Sequence, residues 1–434
     1  MTSRDYVAIA GMYGERVERG EIPACEWVRK AVKRQIEDQK RFSGKSSRFY
    51  FDPDEAAKVC KFTELLPHTK GQLAGQKIRL EPWQIWILTT VFGWRRTADG
   101  GRRFRRVYIE VPRGNAKSTL SSGVALYCLL ADGEPGAEVY SFATTRDQAG
   151  IVFGDAKRMV QQTASLRSHF GVEVLSHALY VPKTNSTFQA KSADGSTLDG
   201  LNTHLAVVDE LHAHRTRAVY DVVETSLGKR VNSLMWVITT AGFDTSGICY
   251  EVRTMVRNVL NRSVVDESQF GIIYGLDEGD DWKSLAALEK ANPNWGVSVM
   301  PEVVTSLQKK AIAIPSAAGN FMTKHLDVWC SAASGWMNMP AWNKCAREEL
   351  RREDFEGEPC YIGLDLGSKS DMTAKVLMFP REDRDGRTYF VTFADFYLPS
   401  RAIETSPNSQ YRGWVEQGLI RVTEGAMTDF NVVE

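Results

Sequence analysis

Apolar residues recur at helical spacing through the first part of the chain and gather into short, uninterrupted runs after it. Over residues 1–75 the period is close to 3.6, as in CEWVRKAVKRQI (25–36) and DEAAKVCKFTELL (54–66), which predicts a helical lead-in. From there the runs VYIEVP (107–112), EVYSFA (138–143), LAVVD (205–209) and LMWVITT (234–240) are too short for helices and predict buried strands. Helical patterns starting at Ser118 and Thr145 fall between them, and such alternation implies a mainly parallel, helix-flanked sheet, an α/β fold. EGDD (278–281) and NPNWG (292–296) mark loops, and a helical stretch follows at about 301–325. The composition then breaks: SAASG (331–335), with Trp329, Trp336 and Trp342, predicts an ordered linker packed on the first domain. Strands are next expected at 361–366, 373–379 and 388–397, then a helix near 411–418, an extended piece at 420–423 and a capped helix start at 429–434.

Composition narrows the class. A chain of 434 residues suggests two or three domains with ample core. Its seven cysteines are scattered, odd in number and contain no C-x-x-C pair, which argues against a disulfide framework and a cysteine zinc site. No apolar run approaches the ~18 residues that cross a bilayer, and MTSRD at the start is no signal peptide, so nothing is expected to anchor or export it. Lys+Arg and Asp+Glu both number 54, so any nucleic-acid contact must come from a local patch. The densest basic cluster, RRFRR (102–106) with Arg95 and Arg96, flanks the turn signal TADGG (97–101). It reads as a hairpin with a solvated basic rim in preference to a DNA contact.

Two segments carry chemistry. In VYIEVPRGNAKSTL (107–120) a strand runs into a short loop closed by Lys117 and Ser118 at a helix start. Backbone N–H groups of Arg113, Gly114, Asn115, Ala116 and on to Thr119 can hold phosphate oxygens, Lys117 can reach the β- and γ-phosphates, and the Ser118 hydroxyl can ligate Mg²⁺. The usual G-x-x-x-x-G-K-S/T pattern would place glycines at Val111 and Ala116, so only Gly114 remains. In the second segment, LAVVDEL (205–211), a buried strand ends in two carboxylates, where ligands bind in open α/β sheets. Asp209 suits outer-sphere Mg²⁺ coordination, and Glu210 suits polarising the water that attacks the γ-phosphate. His204, His212 and His214 lie nearby without a metal-binding spacing, and are read as satisfied or exposed side chains.

The loop with an arginine inside it, the strand ending in Asp209 and Glu210, TTAG (239–242) after the next strand, and LEPWQIW (80–86) ahead of the loop together resemble the large terminase subunit of tailed double-stranded-DNA bacteriophages. The resemblance spans roughly residues 60–430 and rests on the order and spacing of four motifs. It implies an ASCE-type P-loop ATPase followed by an RNase H-like nuclease. Gln84 corresponds to the adenine contact, Lys117 and Ser118 to the phosphate and Mg²⁺ contacts, and Arg113 to the arginine that stabilises transition-state charge. Asp209 and Glu210 correspond to the metal-organising acid and catalytic glutamate, and Thr239, Thr240 and Gly242 to the motif coupling hydrolysis to DNA movement. YIGLDLG (361–367) resembles the nuclease's first strand, with Asp365 as its first metal-binding aspartate in a site for two divalent ions, Mg²⁺ or Mn²⁺.

The resemblance divides the chain into a helical lead-in at 1–75 packed on the ATPase, an ATPase domain at 76–330, a linker at 331–357 and a partial nuclease domain at 358–434. It implies an ATP- and Mg²⁺-dependent genome-packaging motor and endonuclease, working as a homo-oligomeric ring in the cytoplasm of an infected bacterium, with double-stranded DNA, the small terminase subunit and the procapsid portal as partners and no membrane. A helicase-like DNA translocase and a non-hydrolysing nucleotide-binding scaffold are the alternatives; strand separation favours the first, and Glu210 argues against the second. An RNase H-like sheet needs about five strands, and only three full ones are legible, with Asp371 in a loop, Asp395 near a strand's far end and Asp429 as a helix cap. The expectation is therefore a piece of a longer protein that hydrolyses ATP but does not cut DNA.

Overall fold

The computed structural model describes residues 4–44, 46–144, 146–192, 200–330, 342, 344–347, 349–406 and 410–433. The chain forms two compact units, Met1–Trp336 and Met337–Glu434.

The first unit opens with helices α1 (Tyr6–Glu18) and α2 (Glu26–Arg41), a short strand β1 (Phe49–Phe51), and helices α3 (Pro53–Thr63) and α4 (Pro82–Gly93). Asp5 caps α1 by accepting from the Ala8 N–H, and Asp52 caps α3 with Pro53 at its first turn, which is why the lead-in breaks where it does. Then come β2 (Trp94–Arg96), β3 (Arg106–Glu110), α5 (Lys117–Leu130), β4 (Glu138–Ala143), α6 (Arg146–Gln162) and α7 (Ala164–Phe170). Next are β5 (Glu173–Val174), β6 (Ala178–Val181), β7 (Ser186–Ser192), β8 (Thr203–Asp209), α8 (Ala218–Ser226), β9 (Leu234–Thr239), α9 (Ile248–Leu260) and β10 (Gln269–Ile273). Helices α10 (Leu285–Ala291), α11 (Pro301–Ala313) and α12 (Pro315–Leu326) complete it, the long helical stretch being broken at Pro315. The start expected at Thr145 lies outside the described residues.

Strands β3 to β10 form one eight-stranded sheet in the order β10-β3-β9-β8-β4-β7-β6-β5, parallel from β10 to β7 and antiparallel at β6 and β5. Every residue of β8 and β9 is buried, as continuous apolar runs between two helical layers require. Because β9 lies between β3 and β8, the loop after β3 and the acids after β8 flank the threonines that end β9. One continuous apolar core joins the lead-in to this sheet, from Tyr6 in α1 to Tyr274 after β10.

The basic cluster is not a solvated rim. The turn is present, with Arg95 bridging Arg102, but β2 pairs with β1, and Arg102 and Arg103 are 0% and 1% exposed. Arg102 pairs with Asp132, Arg103 with Asp38 and Glu267, Arg95 with Glu55, and Arg106 with Glu224 and Asp266. The Arg103 guanidinium sits 4.8–5.1 Å from the ring centres of Phe42, Phe49, Trp94 and Phe104. A run of one sign looks solvent-facing in sequence, but its partner acids come from distant segments.

The second unit contains β11 (Tyr361–Asp365), β12 (Thr373–Glu382), β13 (Thr388–Pro399), α13 (Ser400–Thr405), α14 (Gln410–Glu416), β14 (Arg421–Thr423) and α15 (Phe430–Val433). Its sheet runs β11-β12-β13-β14, with β14 added parallel to β13, so the extended piece at 420–423 is a fourth strand. Of the expected linker, 331–341, including Trp336, lies outside the described residues. Trp329 packs edge-on against Tyr250 at 5.0 Å within the first unit, whereas Trp342 is exposed.

Candidate active site

The phosphate-type loop leaves the C-terminal end of β3 and is fixed on every side. The Val111 N–H donates to the Thr239 carbonyl (3.0 Å) and the Arg113 N–H to the Lys324 carbonyl (2.9 Å). Gly114 has φ +88° and Ala116 φ 56°, so Ala116, at the N-cap of α5, holds a left-handed conformation where the usual pattern has glycine. Asn115 lies buried beneath the loop. Its Nδ2 donates to the Pro112 carbonyl (3.0 Å) and Asn292 Oδ1 (2.9 Å), and its Oδ1 accepts from the Asn294 N–H (3.0 Å). Asn294 in turn accepts from Trp83 Nε1 (2.6 Å), and the Ser298 hydroxyl donates to the Gly114 carbonyl (2.6 Å).

From α5, Lys117 donates to the Val111 carbonyl (3.1 Å), and its Nζ lies 3.8 Å from Glu210 Oε1. Asp209 ends β8 and accepts the Glu210 N–H (3.0 Å), while Glu210 is itself left-handed at φ 49°. A non-glycine residue held there stores backbone strain, and three of the five such residues among those described, Ala116, Glu210 and Asp327, surround this site. Burial, then the Glu210 charge, raises Asp209 to about 7. Burial pushes Glu210 up as well, but its contact with the His212 imidazole and the charges of Lys117 and Lys324 outweigh that and bring it to about 2. One carboxyl is therefore firmly ionised beside another that takes up a proton near neutrality, a separation that a divalent cation between phosphate and protein would close.

These residues line a cleft of about 600 Å³ that includes Arg113, Lys117, Ser118, Asp209, Glu210 and His212. The volume, the converging backbone N–H groups and the exposed Arg113 guanidinium fit a nucleoside triphosphate. Gly114, Ala116 and Thr119 also face the cleft. Thr240 stands behind it, its Oγ1 3.4 Å from His212 Nδ1, and Asn115 supports the loop from below. Gln84 is not among the lining residues: it is buried, and its Oε1 accepts the Glu81 N–H (3.0 Å) in a capping box at the start of α4.

Sequence reasoning missed roles for residues on the cleft wall and behind it. His212 stands 3.1 Å from Glu210 Oε2, and its Nε2 is 2.9 Å from Lys324 Nζ. Asp327 accepts the Ala241 N–H (2.7 Å), and burial followed by the Glu110 charge raises it well above the carboxylate range. Buried Glu110 accepts from Arg253 Nε (3.0 Å) and Trp329 Nε1 (3.1 Å). Nothing in NPNWG or in the helix before Asp327 signals contact with a loop nearly two hundred residues earlier. His204 bonds Asp132 (2.6 Å), and His214 Nε2 is 3.4 Å from the Asp209 carbonyl. Cys128, Asp132 and His204 come within metal-sharing distance, but the Arg102 guanidinium already sits on Asp132 and serves as the local cation.

In the second unit Asp365 is the exposed last residue of β11, paired in register with Ala374. Among the described residues no group of three acidic, histidine or cysteine side chains gathers around it. Asp395 is held by Arg352 (2.9 Å) and Arg421 (3.2 Å), Asp429 accepts the Asn431 N–H (3.0 Å) as a cap, and Asp371 is exposed in a loop.

Comparison with known proteins accords with this geometry. Residues 82–258 match the sequence model for the terminase large subunit ATPase domain, and residues 263–434 match that for the terminase large subunit endonuclease domain. The chain is 42% identical over 243 residues to Protein YmfN of Escherichia coli, a similarity covering 54% of this chain and about half (53%) of that protein. It is 26% identical over 371 residues to the terminase large subunit of Enterobacteria phage HK97, covering 84% of this chain and 70% of that one. The crystal structure of the HK97 large terminase superposes with a TM-score of 0.55 and 25% identity, over 87% of this chain and 76% of that one. The endonuclease match begins before β10, a strand of the ATPase sheet, so the sequence boundary and the structural one do not coincide. The chain belongs to the terminase large subunit family, with that family's ATPase domain followed by its endonuclease domain.

Proposed function

We propose that the first unit is an ATP-hydrolysing motor that drives double-stranded DNA into a procapsid, and that the second belongs to the nuclease that cuts concatemeric DNA. The observation that carries this reading is the meeting of Lys117, Ser118, Asp209 and Glu210 in one cleft at the C-terminal ends of β3 and β8. The loop N–H groups and Lys117 bind the phosphates, Arg113 faces the transferring group, and Glu210, ionised across the physiological range, accepts a proton from the attacking water. Mg²⁺, held by Ser118 and organised by Asp209, would offset charge on the β- and γ-phosphates. Thr239 and Thr240, bonded to the strand that touches both loop and acids, are placed to pass a change at the γ-phosphate into β9. We assign the adenine contact to the region of Gln84, whose neighbour Trp83 is tied to the loop through Asn294.

In the second unit we assign Asp365 to the first position of a site for two divalent metals, Mg²⁺ or Mn²⁺. The domain limits proposed are a lead-in at 1–75, an ATPase at 76–330, a linker at 331–357 and nuclease residues at 358–434. We further propose that the subunit works in a homo-oligomeric ring at the procapsid portal, with the small terminase subunit and double-stranded DNA as partners, in the cytoplasm of an infected bacterium. Measuring ATP hydrolysis with and without duplex DNA tests the reading. Turnover that rises with duplex DNA, without strand separation, supports a packaging motor. Strand separation would replace it with a helicase, and absent turnover with a nucleotide-binding scaffold.

A further inference from the structure

Two side chains at the cleft, half-buried His212 on its wall and buried Lys324 behind it, have no part in the chemistry described so far. Lys324 comes from α12, far along the chain from the acids, yet it touches both halves of the cleft. Its carbonyl accepts the Arg113 N–H of the phosphate loop (2.9 Å), and its ammonium lies 2.9 Å from His212 Nε2. An ammonium has donors only, so it requires a lone pair on Nε2. The neutral ring must then carry its proton on Nδ1.

The surroundings of Nδ1 are consistent with that. Glu210 Oε2 and Thr239 Oγ1 each lie 3.1 Å from it, and Thr240 Oγ1 lies 3.4 Å away. The Thr239 hydroxyl donates to the Thr240 carbonyl (3.0 Å) and the Thr240 hydroxyl to the Ala241 carbonyl (3.1 Å), which leaves both oxygens as acceptors. Two hydroxyl oxygens thus meet one ring nitrogen, with the Glu210 carboxylate beside it and without a hydrogen bond at Oε2, and one donor faces the other nitrogen.

We propose that Lys324 is a positioning residue: it fixes His212 in the Nδ1-protonated tautomer, so that the N–H is taken up by the threonine hydroxyls at the end of β9 while its positive end stands 3.1 Å from Glu210 Oε2 and holds that carboxylate by charge. The proposal rests on the ATPase reading and goes beyond it by making the acid's aim depend on α12. The same residue anchors the phosphate loop, so loop and acid keep their spacing only while α12 stays docked. Orientation of a base by a fixed tautomer is a recurrent device where the ring itself never touches substrate.

The test uses the full chain. Long-range proton–nitrogen NMR correlations of the histidine rings, with His212→Asn for assignment, should show His212 protonated on Nδ1. Lys324→Met should move it toward the Nε2-protonated form, and Lys324→Arg, which keeps a donor, should restore it. A wild-type ring protonated on Nε2, or a tautomer indifferent to Lys324→Met, would overturn the proposal whether or not the protein hydrolyses ATP. In kinetics, Lys324→Met should lower kcat roughly 10- to 100-fold with nucleotide affinity changed only a few-fold. His212→Asn retains a donor at the Nδ1 position without needing Lys324, so Lys324→Met should cost little more in that background. A full additional loss there would show that Lys324 acts on the nucleotide directly and would refute the positioning role. Absence of hydrolysis by the wild type would sink the ATPase reading alone, since the tautomer measurement stands apart from it.

Discussion

Lys117 and Glu210 are 3.8 Å apart and do different work, so their loss should separate cleanly. Lys117→Ala removes a phosphate contact and should weaken nucleotide binding and turnover together. Glu210→Gln keeps the shape of the cleft and removes only the acceptor for the water's proton, so binding should persist while kcat falls by roughly 10²- to 10⁴-fold. Near wild-type hydrolysis by Glu210→Gln would show that another group serves as base. Ala116 offers a test of strain at the same scale. Its left-handed backbone costs about 1 kcal/mol that a glycine would not incur, so Ala116→Gly should raise stability by about that amount, read as a shifted denaturant midpoint at constant slope. Destabilisation, as for a glycine inside a helix, would mean that the loop does not hold this conformation in solution. The missing glycine made the motif hard to recognise in sequence, although the backbone keeps the geometry that glycine usually supplies.

Among elements, the turn between β2 and β3 departs most from its sequence. Burial opposes ionisation of Asp132, but the Arg102 charge and the His204 hydrogen bond win and hold its carboxyl far below the usual range. A carboxyl depressed in the folded state contributes its full stabilisation above the unfolded value, about pH 4, and loses it as pH falls from there through the folded value. Asp132→Asn should therefore cost about 3–5 kcal/mol near neutrality, because it leaves Arg102 and His204 buried without their partner. The gap between mutant and wild-type unfolding midpoints should narrow below about pH 4; a gap constant with pH would argue against the ionised pair. Strands β3, β4, β8 and β9 were legible because each is a continuous apolar run buried on both faces. Strands β5, β6 and β7 form the end of the sheet that finishes at the edge strand β5 and have mixed polarity, and β10 follows a polar loop, so periodicity alone did not mark them. Lys117, Ser118, Asp209 and Glu210 were legible for a related reason, since each sits where a readable strand ends or a readable helix begins. His212 and Lys324 acquire their roles only through contacts between distant segments.

At the scale of the whole molecule, the seam between the two matched domains offers a practical guide to dissecting this chain. A fragment ending at 262, as the family boundaries suggest, would strip β10 from β3 and leave the most apolar part of the sheet with an open edge. It would also delete Asn292, Asn294, Ser298 and Lys324, the residues that brace the phosphate loop. Such a fragment should aggregate on size-exclusion chromatography and retain no nucleotide, whereas one ending at 330 should stay monodisperse and bind it. Equal behaviour of the two would mean that the sheet and loop are self-sufficient without that segment. If the longer fragment alone survives, inherited sequence boundaries are poor guides to where this protein can be divided, because the stretch they assign to one enzyme serves as scaffolding for the other.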